Sequence, residues 1–143
     1  MRAGVARATK PAPRREAAEI ALVPVSAGEL IDKIAILTIK TERARNAHKR
    51  LLAAQELALL REAAAPLLEG ELAGAIAPLK ARIKAVNLAL WQVEDDLRAL
   101  ERAQDFGARF IELARKVYRA NDERARLKNE INAAAGGSLM EAK

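Results

Sequence analysis

Between residues 72 and 100 the chain places an apolar side chain alternately four and three positions apart: Leu72, Ile76, Leu79, Ile83, Val86, Leu90, Val93, Leu97 and Leu100. That spacing keeps one narrow stripe on one side of an α-helix and predicts the seam of a coiled coil or long bundle. The same alternation runs upstream through Leu30, Ile34, Leu37, Thr41, Ala44, His48 and Leu51. Downstream it runs through Phe106, Phe110, Leu113, Val117, Ala120, Arg124, Leu127 and Ile131. Ser26-Ala27-Gly28-Glu29 reads as a capping box, with Val25 and Leu30 placed for a hydrophobic staple, so the first helix starts there and is expected to reach about Glu62. Pro66 puts the first turn within residues 63–70. Pro78 either kinks the second helix or occupies the first turn of one starting near Ala77; that helix ends near Arg102. Gln104-Asp105 forms the next turn, with Asp105 as N-cap, and the third helix stops before Gly136-Gly137. The expected fold is all-α: three long antiparallel helices in an up-down-up bundle of coiled-coil character. A short extended N-terminal arm, Ile20–Val25, precedes them, limited by Pro24 to an edge strand or a free arm.

Each helix also carries a second stripe, away from its seam. The first has Asp32, Ile36, Ile39 and Arg43; the second Leu88, Trp91, Asp95 and Arg98; the third Ile111, Arg115, Tyr118 and Asp122. Spacings of three and four place each set on one side of its helix. A helix apolar on two sides wants two neighbours. The bundle register gathers the three sets at one end, with Asp95 level with Arg115 and Trp91 level with Tyr118. The arm, a second copy of the chain or a partner would then cover that end. Arg124 interrupts the third seam and needs a carboxylate or a path to water, and Glu42 is the candidate partner.

Composition changes this picture in few places. The chain has 143 residues, enough for one domain with a core, and is 51% hydrophobic but only 3% aromatic, as long helices allow. Five of its six net positive charges sit in residues 1–15, on Arg2, Arg7, Lys10, Arg14 and Arg15 with no acid among them. Residues 1–18 therefore read as a basic, disordered leader and 19–143 as a nearly neutral bundle. The leader offers weak, salt-sensitive contact with nucleic acid, while the bundle has neither recognition motif nor stacking platform. No cysteine is present, which excludes disulfides and fits the cytoplasm. No apolar run approaches the roughly 20 residues that span a bilayer.

Several strings resemble an uncharacterised family of small bacterial proteins that carry a domain of unknown function. They are Val25-Ser26 with Gly28-Glu29-Leu30-Ile31-Asp32-Lys33-Ile34, then Asn87 with Leu90-Trp91 and Glu94-Asp95. Phe110-Ile111, Leu113-Ala114-Arg115, Val117-Tyr118, Asn121-Asp122 and Arg124-Ala125 continue the likeness, which spans about Val23 to Lys143. Lys116 departs from it, standing where the family has a small hydroxyl residue. The resemblance implies a helical cytoplasmic protein and brings no activity with it.

Candidate chemistry is sparse. His48 is the sole histidine, so zinc and di-iron helical sites are excluded. A Mg²⁺ site would have to use carboxylates alone, Glu29 and Asp32 with Glu94 and Asp95, and no cofactor is expected. No Gly-rich phosphate loop, nucleophile elbow or triad spacing occurs. The candidate polar and aromatic site, or interface, comprises Asp32, Arg43, Asn87, Trp91, Glu94, Asp95, Arg98, Arg115, Tyr118, Asn121, Asp122 and Arg124. The leading expectation is a non-catalytic interaction module that forms a homo-oligomer through the Trp91 end or docks a protein partner. The alternative is a binding or catalytic pocket for a small anion, phosphate or carboxylate, built from interhelical Arg and Asp/Glu residues, with Arg43, Arg98 and Arg115 as clamps.

Overall fold

The computed structural model describes residues 19–137. The expected basic leader lies outside the described residues. Helices α1 (Ala27–Arg43), α2 (Ala47–Glu69), α3 (Ala73–Arg102) and α4 (Ala108–Ala134) account for the fold, and no strand occurs among the described residues. The chain is all-helical, but four helices replace the expected three, and the up-down-up antiparallel bundle built on three does not hold.

The discrepancy lies at residues 44–46, where the expected first helix is cut in two. A single continuous rod does not form. Instead α2 doubles back onto α1, so that Ile34 and Leu37 pack with Ala53, Leu57 and Ala64. Local chemistry secures both edges of the break. The Thr41 hydroxyl donates to the Thr38 carbonyl (2.6 Å), drawing an acceptor from the last turn of α1. The Asn46 side chain accepts the Lys49 N–H (3.1 Å) as N-cap of α2. Arg50 reaches back and donates to the Ala44 and Arg45 carbonyls (2.6 and 3.1 Å), occupying groups that a helix end leaves unpaired.

The other boundaries shift in smaller ways. Pro66 lies inside α2, and the turn falls at residues 70–72 rather than 63–70. Pro78 is the sixth residue of α3, which begins at Ala73 rather than near Ala77. The loss of its N–H orphans only the carbonyl of Gly74, an exposed residue that water can serve. Asp105 does not cap α4; Gly107 holds that position, and the Asp105 carboxylate accepts the Gly107 N–H (3.1 Å). Ser26 caps α1 as expected, accepting the Glu29 N–H at 3.1 Å. The reciprocal half of the box is absent, because Glu29 turns to Lys128 on α4 (2.9 Å). Val25 stays half exposed, so the staple does not close.

Helix α1 touches all three others, as α3 does, whereas α2 and α4 do not meet. One of its faces sends Ile31 and Ala35 against Ile76 and Ile83 of α3 and Leu127 and Ile131 of α4. The neighbouring side, with Leu30, Ile34 and Leu37, makes the α2 contacts. The α3 and α4 stripes turn inward in part: Ile76, Ile83 and Leu90, and Leu113, Leu127 and Ile131, are buried, the other large apolar members are half buried, and Leu72 and Phe106, just outside the helices, are exposed. The arm at residues 19–25 has no regular secondary structure and lies exposed, so it covers none of the three mixed stripes.

Candidate functional site

The polar centre forms where α1 meets α4. Gly28 permits the approach: a Cβ there would overlap the backbone carbonyl of Lys128. The Gly28 N–H donates to Asn132 Oδ1 (2.7 Å), an inter-helix bond wholly inside the protein. That bond also fixes the orientation of the amide, whose buried Nδ2 has no partner.

One turn along α1, Asp32 is 2% exposed. Its carboxylate receives Arg124 Nη2 (2.6 Å) and Nε (3.3 Å) and Asn87 Nδ2 (2.8 Å), so α1, α3 and α4 meet on a single side chain. Lys128 Nζ lies 3.9 Å away. Arg124 Nη1 donates to Asn121 Oδ1 (2.9 Å). A buried carboxylate is tolerable only with such partners, because desolvating an unpaired charge costs several kcal/mol. Arg124 therefore pairs with Asp32 and not with Glu42, which binds Lys84 instead (3.3 Å).

Beside this cluster, Ile36, Ile39 and Lys40 of α1, Asn87, Leu90, Trp91 and Glu94 of α3, and Arg124 of α4 enclose a hollow of about 180 Å³. Six of the twelve candidate residues thus lie together or adjacent: Asp32, Asn87, Trp91, Glu94, Asn121 and Arg124. Arg98 pairs with Glu94 (3.7 Å) and Asp95 (3.8 Å) on the outside of α3, so Asp95 does not reach Arg115. Arg43 is exposed at the end of α1, and Asp122 is half buried on α4. Tyr118 is 53% exposed under the Arg119 guanidinium, 5.8 Å from the ring centroid, and is not paired with Trp91. Hydrogen bonding from Arg119, then from Arg115, together with their charge, lowers the Tyr118 phenol pKa below its usual 10.0. The α1 and α3 stripes meet at this hollow through Ile36, Ile39 and Trp91, whereas Ile111, Arg115 and Tyr118 of the α4 stripe are exposed, so the three do not gather at one pole.

Among the described residues no three His, Cys, Asp or Glu side chains converge on a metal position. Of the four acids considered for Mg²⁺, Glu29 and Asp32 bind cations of α4, and Glu94 and Asp95 bind Arg98. Residues absent from the sequence reading include Lys40, Lys128 and Asn132. Asn121, Arg124, Lys128 and Asn132 are spaced three, four and four, a polar line on the α4 face that meets α1, and that spacing was the available signal.

The fold and its polar junction define an all-helical protein without an evident catalytic constellation among the described residues. A family model described as a family of unknown function, DUF6165, matches residues 21–143, and the chain belongs to that family. No curated protein and no solved structure matches it. No helix among the described residues is long and apolar enough to cross a membrane.

Proposed function

We propose that the protein is a non-catalytic helical interaction module of the cytoplasm that self-associates through the outer face of α2. The observation that carries this reading is that α2 is apolar on both sides. Ala53, Leu57 and Ala64 face α1, yet Leu51, Leu52 and Leu59 remain 55%, 50% and 55% exposed, among the exposed alanines 54, 58 and 63. Such a helix is short of one neighbour. The outward line His48, Leu51, Gln55, Ala58 and Glu62 is spaced three, four, three and four, and all five residues are exposed. An antiparallel pair of α2 helices centred on Gln55 sets Leu51 against Leu59 of a second copy and His48 against its Glu62. The pairing is self-complementary, as a two-fold interface requires. It moves the expected contact from the Trp91 end to α2.

Sedimentation equilibrium over micromolar to millimolar concentrations tests this. We expect a monomer–dimer equilibrium that Leu51→Glu and Glu62→Lys each weaken at least about tenfold, one buried charge or repulsive pair sufficing. Combining Glu62→Lys with His48→Glu should restore association. A chain monomeric throughout overturns the reading. Association indifferent to all three variants would place the contact elsewhere, the exposed arm with Leu22 and Val23 being next in line. The weak nucleic-acid contact expected of the leader is a separate proposal, checked by the salt slope of binding with and without residues 1–15.

A further inference from the structure

The hollow between α1, α3 and α4 combines three features that rarely coincide on a helix surface. Its walls are apolar, made by Ile36, Ile39, Leu90 and Trp91. Its floor is polar and fixed, because Asn87 and Arg124 are both held by the buried Asp32. At its margin stands Lys40, an exposed cation that forms no ion pair among the described residues. Ligand sites of small molecules are built this way, mostly apolar with a few convergent polar groups.

We propose that this hollow binds a small monocarboxylate with an apolar or aromatic body. A guanidinium has five N–H groups, and the bonds to Asp32 and Asn121 use three of those on Arg124. Those bonds also preorganise the group, so little side-chain entropy is lost when an anion meets its remaining edge. Lys40 adds a second positive charge. Glu94 lies on the same lining and repels further negative charge, which selects one carboxylate over two or over phosphate. Trp91 and the isoleucines then receive the apolar body. The size sets the class: a hollow of about 180 Å³ is close to the ~150 Å³ cavity that takes up benzene, so the apolar body is about the size of one ring or a short chain. None of the lining belongs to α2, so this site is independent of the proposed self-association.

Trp91 is the only tryptophan in the chain and lines the hollow, which gives the site its own reporter. Titrating the full chain with benzoate and hexanoate should change Trp91 emission saturably, with a Kd of roughly 0.1–1 mM for ligands of this size. Benzyl alcohol, matched in shape but neutral, should bind at least tenfold more weakly, and inorganic phosphate should produce no change. Lys40→Glu, at an exposed position that leaves the core intact, should weaken benzoate about tenfold. The thermal midpoint should rise with benzoate in parallel with the fluorescence. No saturable response to either carboxylate at 10 mM overturns the proposal. So does equal binding of benzyl alcohol, or benzoate affinity unchanged in Lys40→Glu. A response to phosphate alone would show an anion site of another kind and equally overturn it.

Discussion

Gln104 holds a left-handed backbone, φ 54°, at the end of α3. The Asp105 N–H bonds the Leu100 carbonyl (2.9 Å) and the Gln104 N–H that of Glu101 (3.0 Å), the double closure that ordinarily takes glycine. A side chain there costs of the order of 1–2 kcal/mol. Gln104→Gly should therefore raise stability by about 1 kcal/mol in urea denaturation, less what is lost with the Gln104 Nε2 bond to Glu101. Tyr118, the only tyrosine, offers a second check at this scale. Its folded pKa lies below the unfolded value, so ionised Tyr118 favours the folded state. That contribution is present above the unfolded value of about 10 and is lost as pH falls through the folded one. Ultraviolet titration of the phenol should give a midpoint below 10 in the native chain. Arg119→Gln should move it back upward, and an unchanged midpoint would remove Arg119 as the cause.

At the scale of elements, the α1–α2 break depends on a few polar groups. Asn46→Ala removes the α2 cap and should cost about 1 kcal/mol, read as a lower denaturation midpoint with unchanged slope. The α1–α4 contact depends on one missing methyl group. Gly28→Ala brings a Cβ into the Lys128 backbone carbonyl, which no rotamer change relieves. We expect a loss of about 2–3 kcal/mol, with the cost appearing in thermal unfolding. Capping residues and seams were legible at this level: Ser26, the α3 stripe and the stop at Gly136, which takes φ 68°, follow from local chemistry. Asn46 carries the same type of signal as Ser26, but the apolar alternation running across it concealed the boundary. The stripe continued through His48 and Leu51 only by coincidence of spacing, since both are exposed.

For the whole molecule, Asp32 is the residue through which three helices are joined. Asp32→Ala leaves Arg124 without its carboxylate; because that side chain is 22% exposed, the loss should sit near the lower end of the ~3–5 kcal/mol range for broken buried pairs. Removing Arg124 instead strands a carboxylate that is 2% exposed and should cost more. Double-mutant-cycle coupling between the two should exceed about 1 kcal/mol by chemical denaturation, and additive losses would deny the pair its joining role. Arg124 was marked in the sequence by its intrusion into an apolar seam. Its partner was not, because Asp32 and Glu42 lie ten residues apart on α1 and only the packing of α4 against α1 sets which of them faces Arg124. Arg98, Arg115 and Tyr118 disperse because the sides of α3 and α4 that carry them are exposed.

Side-chain periodicity, capping residues and the distribution of charge are properties of neighbours within a few positions. They determined that this chain is helical, where α1 starts, where α3 and α4 stop, and which side of α3 and α4 turns inward. The doubling back of α2, the choice of Asp32 for Arg124 and the hollow beside Trp91 required the tertiary structure. Each depends on which surfaces meet after apolar area and buried charge are satisfied together, and that is settled between elements far apart in the chain.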